Sequence, residues 1–206
     1  MADDHAVVRR GLKQILSEAF VDVAFGEAED GAQTLAQASQ QPWDVIVLDV
    51  SMPGRSGLEV LSEIKKQRPG TPVILLSVHP EDQLAIRGLK AGASGYLTKD
   101  SAPEELVRAI HKVLELKGRY VSTQLAERLA QAIGCPSNEP AHEFLSNREY
   151  EVLLLIASGK GLTEIAKQLR LSIKTVSTYR TRILEKMGAR NNSDLTRYAL
   201  TNQLID

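Results

Sequence analysis

Asp49 closes the apolar run Val45-Ile46-Val47-Leu48 and precedes Val50-Ser51-Met52-Pro53-Gly54, so one ionisable group stands at the edge of an otherwise apolar segment. A short apolar run bounded by turn residues reads as a strand buried on both faces. In open α/β sheets the crevice beyond the carboxyl ends of such strands is where ligands bind. Ser77 and Lys99 hold equivalent places at or just past the ends of the next two predicted strands, over 73–77 and 94–98. Asp3 and Asp4 precede the first helix and read as a further strand end that meets Asp49 at one site. Three carboxylates in proximity repel one another unless a divalent cation lies among them, and hard oxygen ligands favour Mg2+. The chemistry this predicts is a carboxylate nucleophile, Asp49, accepting a phosphoryl group. Mg2+ and Lys99 neutralise the developing charge, and the Ser77 hydroxyl donates to a phosphate oxygen.

The elements that must position these groups alternate between strand and helix. Val8, Leu12, Ile15 and Leu16 fall at helical spacing over 6–18, and Val21, Val23 and Phe25 alternate as a strand. Asp30 is an N-cap for a helix running to about Gln40, and Leu58, Leu61 and Ile64 mark another that Pro69 and Gly70 interrupt. A helix over 82–91 follows, and Ser101-Ala102-Pro103-Glu104 reads as a capping box with proline in the first turn. The alternation predicts a doubly wound parallel sheet with helices on both faces, over residues 1–118.

A connecting segment, 119–142, opens with helix-compatible Leu125, Leu129 and Ile133. It then meets Gly134, Pro136, Ser137, Asn138 and Pro140, a composition that favours an exposed linker. From 143 to 206 the pattern is purely helical, with a second capping box at Ser146-Asn147-Arg148-Glu149 and an apolar stripe of Val152, Leu153 and Ile156 ending at Gly159. A short helix over 162–169, a turn at Arg170-Leu171 and a longer helix capped by Ser172 and reaching Met187 have helix-turn-helix spacing. At 100° per residue, Val176, Tyr179, Ile183 and Met187 share one face. Lys174, Ser177, Thr178, Thr181 and Arg182 gather opposite, a hydroxyl-rich basic surface suited to a DNA major groove.

Charge supports the division. The net charge of −1 resolves into −4 over 1–118, zero over 119–142 and +3 over 143–206, and between Lys167 and Arg190 seven basic residues face a single acid, Glu185. Such clustering suits a polyanion. With 43% hydrophobic and 25% charged residues, the chain can bury a core and is not of disordered composition. Cys135 is the sole cysteine, and the four histidines lie too far apart in sequence for ligand spacing, so a structural metal is not expected. The first residues lack the form of a signal peptide and no apolar stretch is long enough to span a membrane, so a cytoplasmic location is expected.

Asp3-Asp4, Asp49 with Met52-Pro53-Gly54, Ser77, and Tyr96 three residues before Lys99 together resemble the receiver domain of bacterial two-component response regulators. That resemblance implies phosphorylation of Asp49 by a partner sensor histidine kinase and Mg2+ held by Asp3, Asp4, Asp49 and the Ser51 carbonyl. It also implies reorientation of Ser77 and Tyr96 when the phosphoryl group arrives. Leu145-Ser146-Asn147-Arg148-Glu149, Glu164-Ile165-Ala166 and Lys174-Thr175-Val176 with Lys186-Met187-Gly188 resemble the LuxR-type DNA-binding domain. The two halves together resemble the NarL/FixJ class over nearly the whole chain. This implies base-facing Ser177, Thr178 and Thr181, a dimer contact on the last helix near 193–202, and a transcription regulator rather than an enzyme. Arg180 stands where that family commonly has an apolar residue; its stem is expected to cover the core edge while its head reaches a phosphate.

Two departures matter. Asp100 follows Lys99 where many receivers have proline, and only Met1 and Ala2 precede the acidic pair where receivers carry a full apolar strand. A missing or truncated first strand is therefore expected, with poorly anchored Asp3 and Asp4 if this start is native; a native start further upstream is the preferred expectation. The alternative function is a phosphorylation-independent DNA-binding regulator with a degenerate receiver. A phosphatase of the haloacid dehalogenase type is disfavoured, because Ser51 stands where its general acid would be. Gly159-Lys160-Gly161 lacks the spacing of a P-loop.

Overall fold

The computed structural model describes residues 1–78, 83–116, 118–122, 125–127 and 140–205. The chain divides into two compact units, Met1–Cys135 and Pro136–Asp206.

In the first unit, β1 (Ile46–Asp49), β2 (Val73–Ser77) and β3 (Gly95–Thr98) form a parallel sheet in the order β1-β2-β3. Every residue of β1 and β2 is buried, which is why both read as unbroken apolar runs rather than alternating ones. One face is covered by α1 (Ala6–Ala19) and α5 (Ala102–Glu115), whose Leu12, Leu16, Leu106, Ile110 and Val113 pack with Val47, Ile74, Leu76 and Leu97. α2 (Gly31–Gln40), α3 (Gly57–Gln67) and α4 (Gln83–Lys90) complete the unit, and α3 buries Leu58, Val60, Leu61 and Ile64. Asp82, the expected start of α4, lies outside the described residues.

The N-terminal segment departs from expectation in two ways. Met1–Asp3 takes the place of a strand: Ala2 bridges in parallel to both Ala28 and Leu48. The Ala2 N–H donates to the Val47 carbonyl (2.8 Å), the Asp49 N–H to the Ala2 carbonyl (2.8 Å) and the Asp3 N–H to the Ala28 carbonyl (3.1 Å). Asp3 is thus firmly anchored, contrary to the expectation of a loose backbone. The predicted strand over 21–25 does not form, however. Asp22 adopts a left-handed conformation at φ 55, and Val21 and Val23 are exposed. Among the described residues no strand lies alongside 21–25, and an alternating pattern forms a strand only where a partner is present.

The capping box expected at Ser101 is also absent. Ser101 is helical in conformation with no capping bond from its side chain, and its hydroxyl donates instead to the Thr98 carbonyl. Pro103 does occupy the first turn.

In the second unit, a 3-10 turn (Ala141–Phe144) leads into α6 (Asn147–Ala157), α7 (Leu162–Gln168), α8 (Ile173–Met187) and α9 (Asn192–Thr201). Ser146 and Glu149 form the predicted reciprocal capping box, and Ser172 and Asn191 cap α8 and α9. α6 is buried on every side from Arg148 to Ala157, well beyond the predicted stripe. Its polar members are paired, Arg148 with Glu151 and Glu149 with Lys186. Between α7 and α8, Arg170 is left-handed at φ 49 and the Leu171 N–H returns to the Ala166 carbonyl at 2.8 Å, closing a Schellman-type turn. Of the linker expected over 119–142, Leu129, Ile133, Gly134, Pro136, Ser137 and Asn138 lie outside the described residues. No described helix is long and apolar enough to cross a membrane.

Candidate functional site

β1 delivers Asp49 to the carboxyl edge of the sheet, level with Leu76 of β2. Gly57, the first residue of α3, lies against it: a Cβ there would fall 2.2 Å from the Asp49 carbonyl oxygen, so only glycine permits this approach. Lys99 follows β3, and its main-chain N–H donates to the Ser77 carbonyl at 2.7 Å. Its Nζ then lies 2.9 Å from Asp49 Oδ2 and 2.8 Å from Asp3 Oδ2. One ammonium thus bridges carboxylates 46 positions apart in the chain. Asp49 Oδ1 accepts from the Ser51 N–H at 3.1 Å.

The structure gathers Asp3, Asp4, Asp49 and Lys99. It adds two residues that the sequence reading passed over. His5 places Nδ1 2.8 Å from Asp4 Oδ1 and 3.1 Å from Asp3 Oδ1, and Arg9 donates to the Asp3 carbonyl. His5 has no ligand spacing to the other histidines in the sequence, and Arg9 reads there as a surface residue of an amphipathic helix. Ser77 is fully buried one residue beyond the level of Asp49 on the adjoining strand, and Tyr96 is fully buried opposite Leu75. Ser51 meets Asp49 through its N–H.

Burial pushes the Asp49 carboxyl above its usual range, and Asp3 adds to the rise; Lys99 and the Ser51 N–H oppose it without cancelling it. Burial disfavours the Lys99 ammonium, but Asp49 and Asp3 outweigh that and hold it above the usual lysine value. One ammonium serves two buried carboxylates with a third beside them, leaving an excess of negative charge. Donor atoms of Asp3, Asp4, His5 and Asp49 all lie within 4.8 Å of one another. The mostly hard oxygen set fits a divalent cation.

On the second unit, α8 packs through buried Val176 and Ile183, which leaves Lys174, Thr178, Thr181 and Arg182 exposed and Ser177 half-buried. The Thr178 and Thr181 hydroxyls donate to the carbonyls of Lys174 and Ser177, so each must release or share that bond to donate to a base. Arg180 differs from this group. It is half-buried, and its Nε donates 2.6 Å to Asn192 Oδ1 at the start of α9. Lys186 is likewise committed, 2.6 Å from Glu149.

A strand-end acidic crevice on a parallel α/β unit, followed by a helix-turn-helix unit with a basic outer helix, defines the class of DNA-binding response regulators. Residues 1–111 match the family model of the response regulator receiver domain, and residues 143–199 match that of the luxR family of bacterial regulatory proteins. The chain is 36% identical over 207 residues to the response regulator UvrY of Escherichia coli strain K12, covering 100% of this chain and 94% of UvrY. It is also 36% identical over 206 residues to the response regulator GacA of Pseudomonas protegens, covering 100% and 96%. Among solved structures, RcsB from Salmonella enterica serovar Typhimurium, bound to promoter rprA with the phosphomimetic BeF3−, aligns with a TM-score of 0.61 at 29% identity, covering 96% of this chain and 95% of RcsB. The chain belongs to the response regulators that join a receiver domain to a LuxR-type DNA-binding domain, and it is a DNA-binding transcription regulator.

Proposed function

We propose that this regulator is switched by phosphorylation of Asp49 by a partner sensor histidine kinase. The observation that carries the reading is Lys99 bridging Asp49 and Asp3 at the sheet edge. An Asp49 oxygen attacks the phosphorus, the bond from phosphorus to the donor's histidine nitrogen breaks, and an acyl phosphate forms on Asp49. Lys99 stabilises the charge on the transferred group, and the Ser77 hydroxyl donates to one of its oxygens. Ser77 and the buried Tyr96 then change position together, biasing a pre-existing equilibrium toward a DNA-binding homodimer. Asp3, Asp4, Asp49 and the Ser51 carbonyl are the residues that would hold Mg2+, which when bound offsets negative charge on the phosphoryl oxygens.

Lys174, Ser177, Thr178, Thr181 and Arg182 contact DNA, with Arg180 at the edge of that surface, and α9 is the dimer contact. The solved RcsB complex, bound to a promoter with a phosphomimetic, supports coupling of this kind. The protein acts in the cytoplasm as a switch rather than as an enzyme with turnover. Comparing DNA binding of wild type and Asp49→Asn, with and without a small phosphodonor, tests this. Only wild type should gain affinity, and an equal gain in both would sink the reading. A phosphorylation-independent DNA-binding regulator is the second reading. Failure of wild type to incorporate phosphoryl from the donor would favour it.

A further inference from the structure

Arg9 lies in the first turns of α1, and its side chain is only 7% exposed. A guanidinium that far from water needs acceptors for its forked donors, and it has three. Nη1 donates to the Asp3 carbonyl at 2.7 Å, Nε to Glu27 at 3.1 Å and Nη2 to Glu29 at 2.8 Å. Lys13 also reaches Glu27, which fixes that carboxylate from a second side. The Asp3 N–H meanwhile donates to Ala28, between the two glutamates. Asp3 is therefore tied to the 27–29 segment on both sides, directly through its N–H and through Arg9 at its carbonyl. The parallel bridges of this segment end at Ala2, so Arg9 acts just where ladder pairing stops.

We propose that Arg9 is a positioning residue for the acidic crevice, a three-pronged clamp that fixes the Asp3 backbone so that its carboxylate meets Asp49 and Lys99. The proposal rests on reading that crevice as a divalent-cation and phosphoacceptor site. Two possible roles of Arg9 predict opposite signs. As a nearby positive charge it repels a cation, and its removal, leaving Glu27 and Glu29 unneutralised, would tighten cation binding. As a clamp its loss weakens binding by about tenfold or more, the usual cost of losing a group that orients a metal ligand.

The test is a calorimetric Mg2+ titration of the full chain for wild type, Arg9→Met, Arg9→Lys and Asp3→Asn, with the thermal midpoint of each. Arg9→Met should bind Mg2+ about tenfold more weakly. Arg9→Lys keeps the charge but cannot fork to three acceptors, so it should also weaken binding by several-fold; it serves alone if Arg9→Met does not fold. Adding Arg9→Met to Asp3→Asn should cost nothing further, a non-additivity that general destabilisation does not produce. Unchanged or tighter binding in Arg9→Met, wild-type affinity in Arg9→Lys, or additive losses with Asp3→Asn would overturn the clamp. A wild-type chain that binds no Mg2+ would overturn the cation reading, and the clamp with it.

Discussion

Asp49 is 1% exposed, and its surroundings disfavour its charge more than Lys99 supports it. A carboxyl whose folded-state value is raised binds its proton more tightly when folded, so ionisation destabilises the native state above that value. The penalty fades as pH falls toward the ordinary aspartate range, where folded and unfolded chains are both protonated. Asp49→Asn is therefore expected to raise the melting temperature of the cation-free protein at neutral pH, with the difference shrinking in acid; scanning calorimetry in a chelator checks this. Added Mg2+ should stabilise wild type by about 2.7 kcal/mol at a hundred times its dissociation constant and leave Asp49→Asn nearly unmoved. The residue types of this site were legible in the sequence because carboxylates and a lysine at the ends of apolar runs have few structural reasons to be there. His5 and Arg9 were not, since their roles arise from contacts with residues on other segments.

Helices α6 and α8 show what local chemistry decides and where packing takes over. The box at Ser146 was readable because its two bonds span three residues; Ser146→Ala should cost about 1 kcal/mol, seen as a shifted urea midpoint with an unchanged slope. Glu149 in that box also meets Lys186. Burial alone would raise its carboxyl, but the ammonium and the Ser146 donors hold it below the usual glutamate value. A lowered carboxyl stabilises the fold above its unfolded value and loses that contribution as pH falls through the folded one. The stability gap between wild type and Glu149→Gln should thus be widest near neutrality and close in acid, as urea melts across pH would show. The same signature failed at Ser101, where the hydroxyl found the Thr98 carbonyl instead. Alternation failed at 21–25, because β pattern is realised only where a partner strand lies alongside.

At the scale of the whole chain, an acidic N-terminal half and a basic C-terminal half divide signal reception from DNA binding. If exposed Lys174 and Arg182 contact phosphates while Arg180 serves mainly to link α8 to α9, their salt signatures should differ. Lys174→Ala and Arg182→Ala should each lower the slope of log affinity against log salt by about 0.9 per bound subunit, about 1.8 for the homodimer, as measured by fluorescence anisotropy. Arg180→Met should weaken binding with little change in slope. By itself the sequence determined the alternating and helical halves, the helix caps that close within one turn, and the types of residue at the acidic edge, because each is encoded in local spacing. Only the tertiary structure decided that Ala2 substitutes for a strand, that Lys99 spans Asp3 and Asp49, and that Arg9 and Arg180 turn inward. Those outcomes depend on main-chain pairing and on which acceptors distant segments bring within reach, and local periodicity carries no record of either.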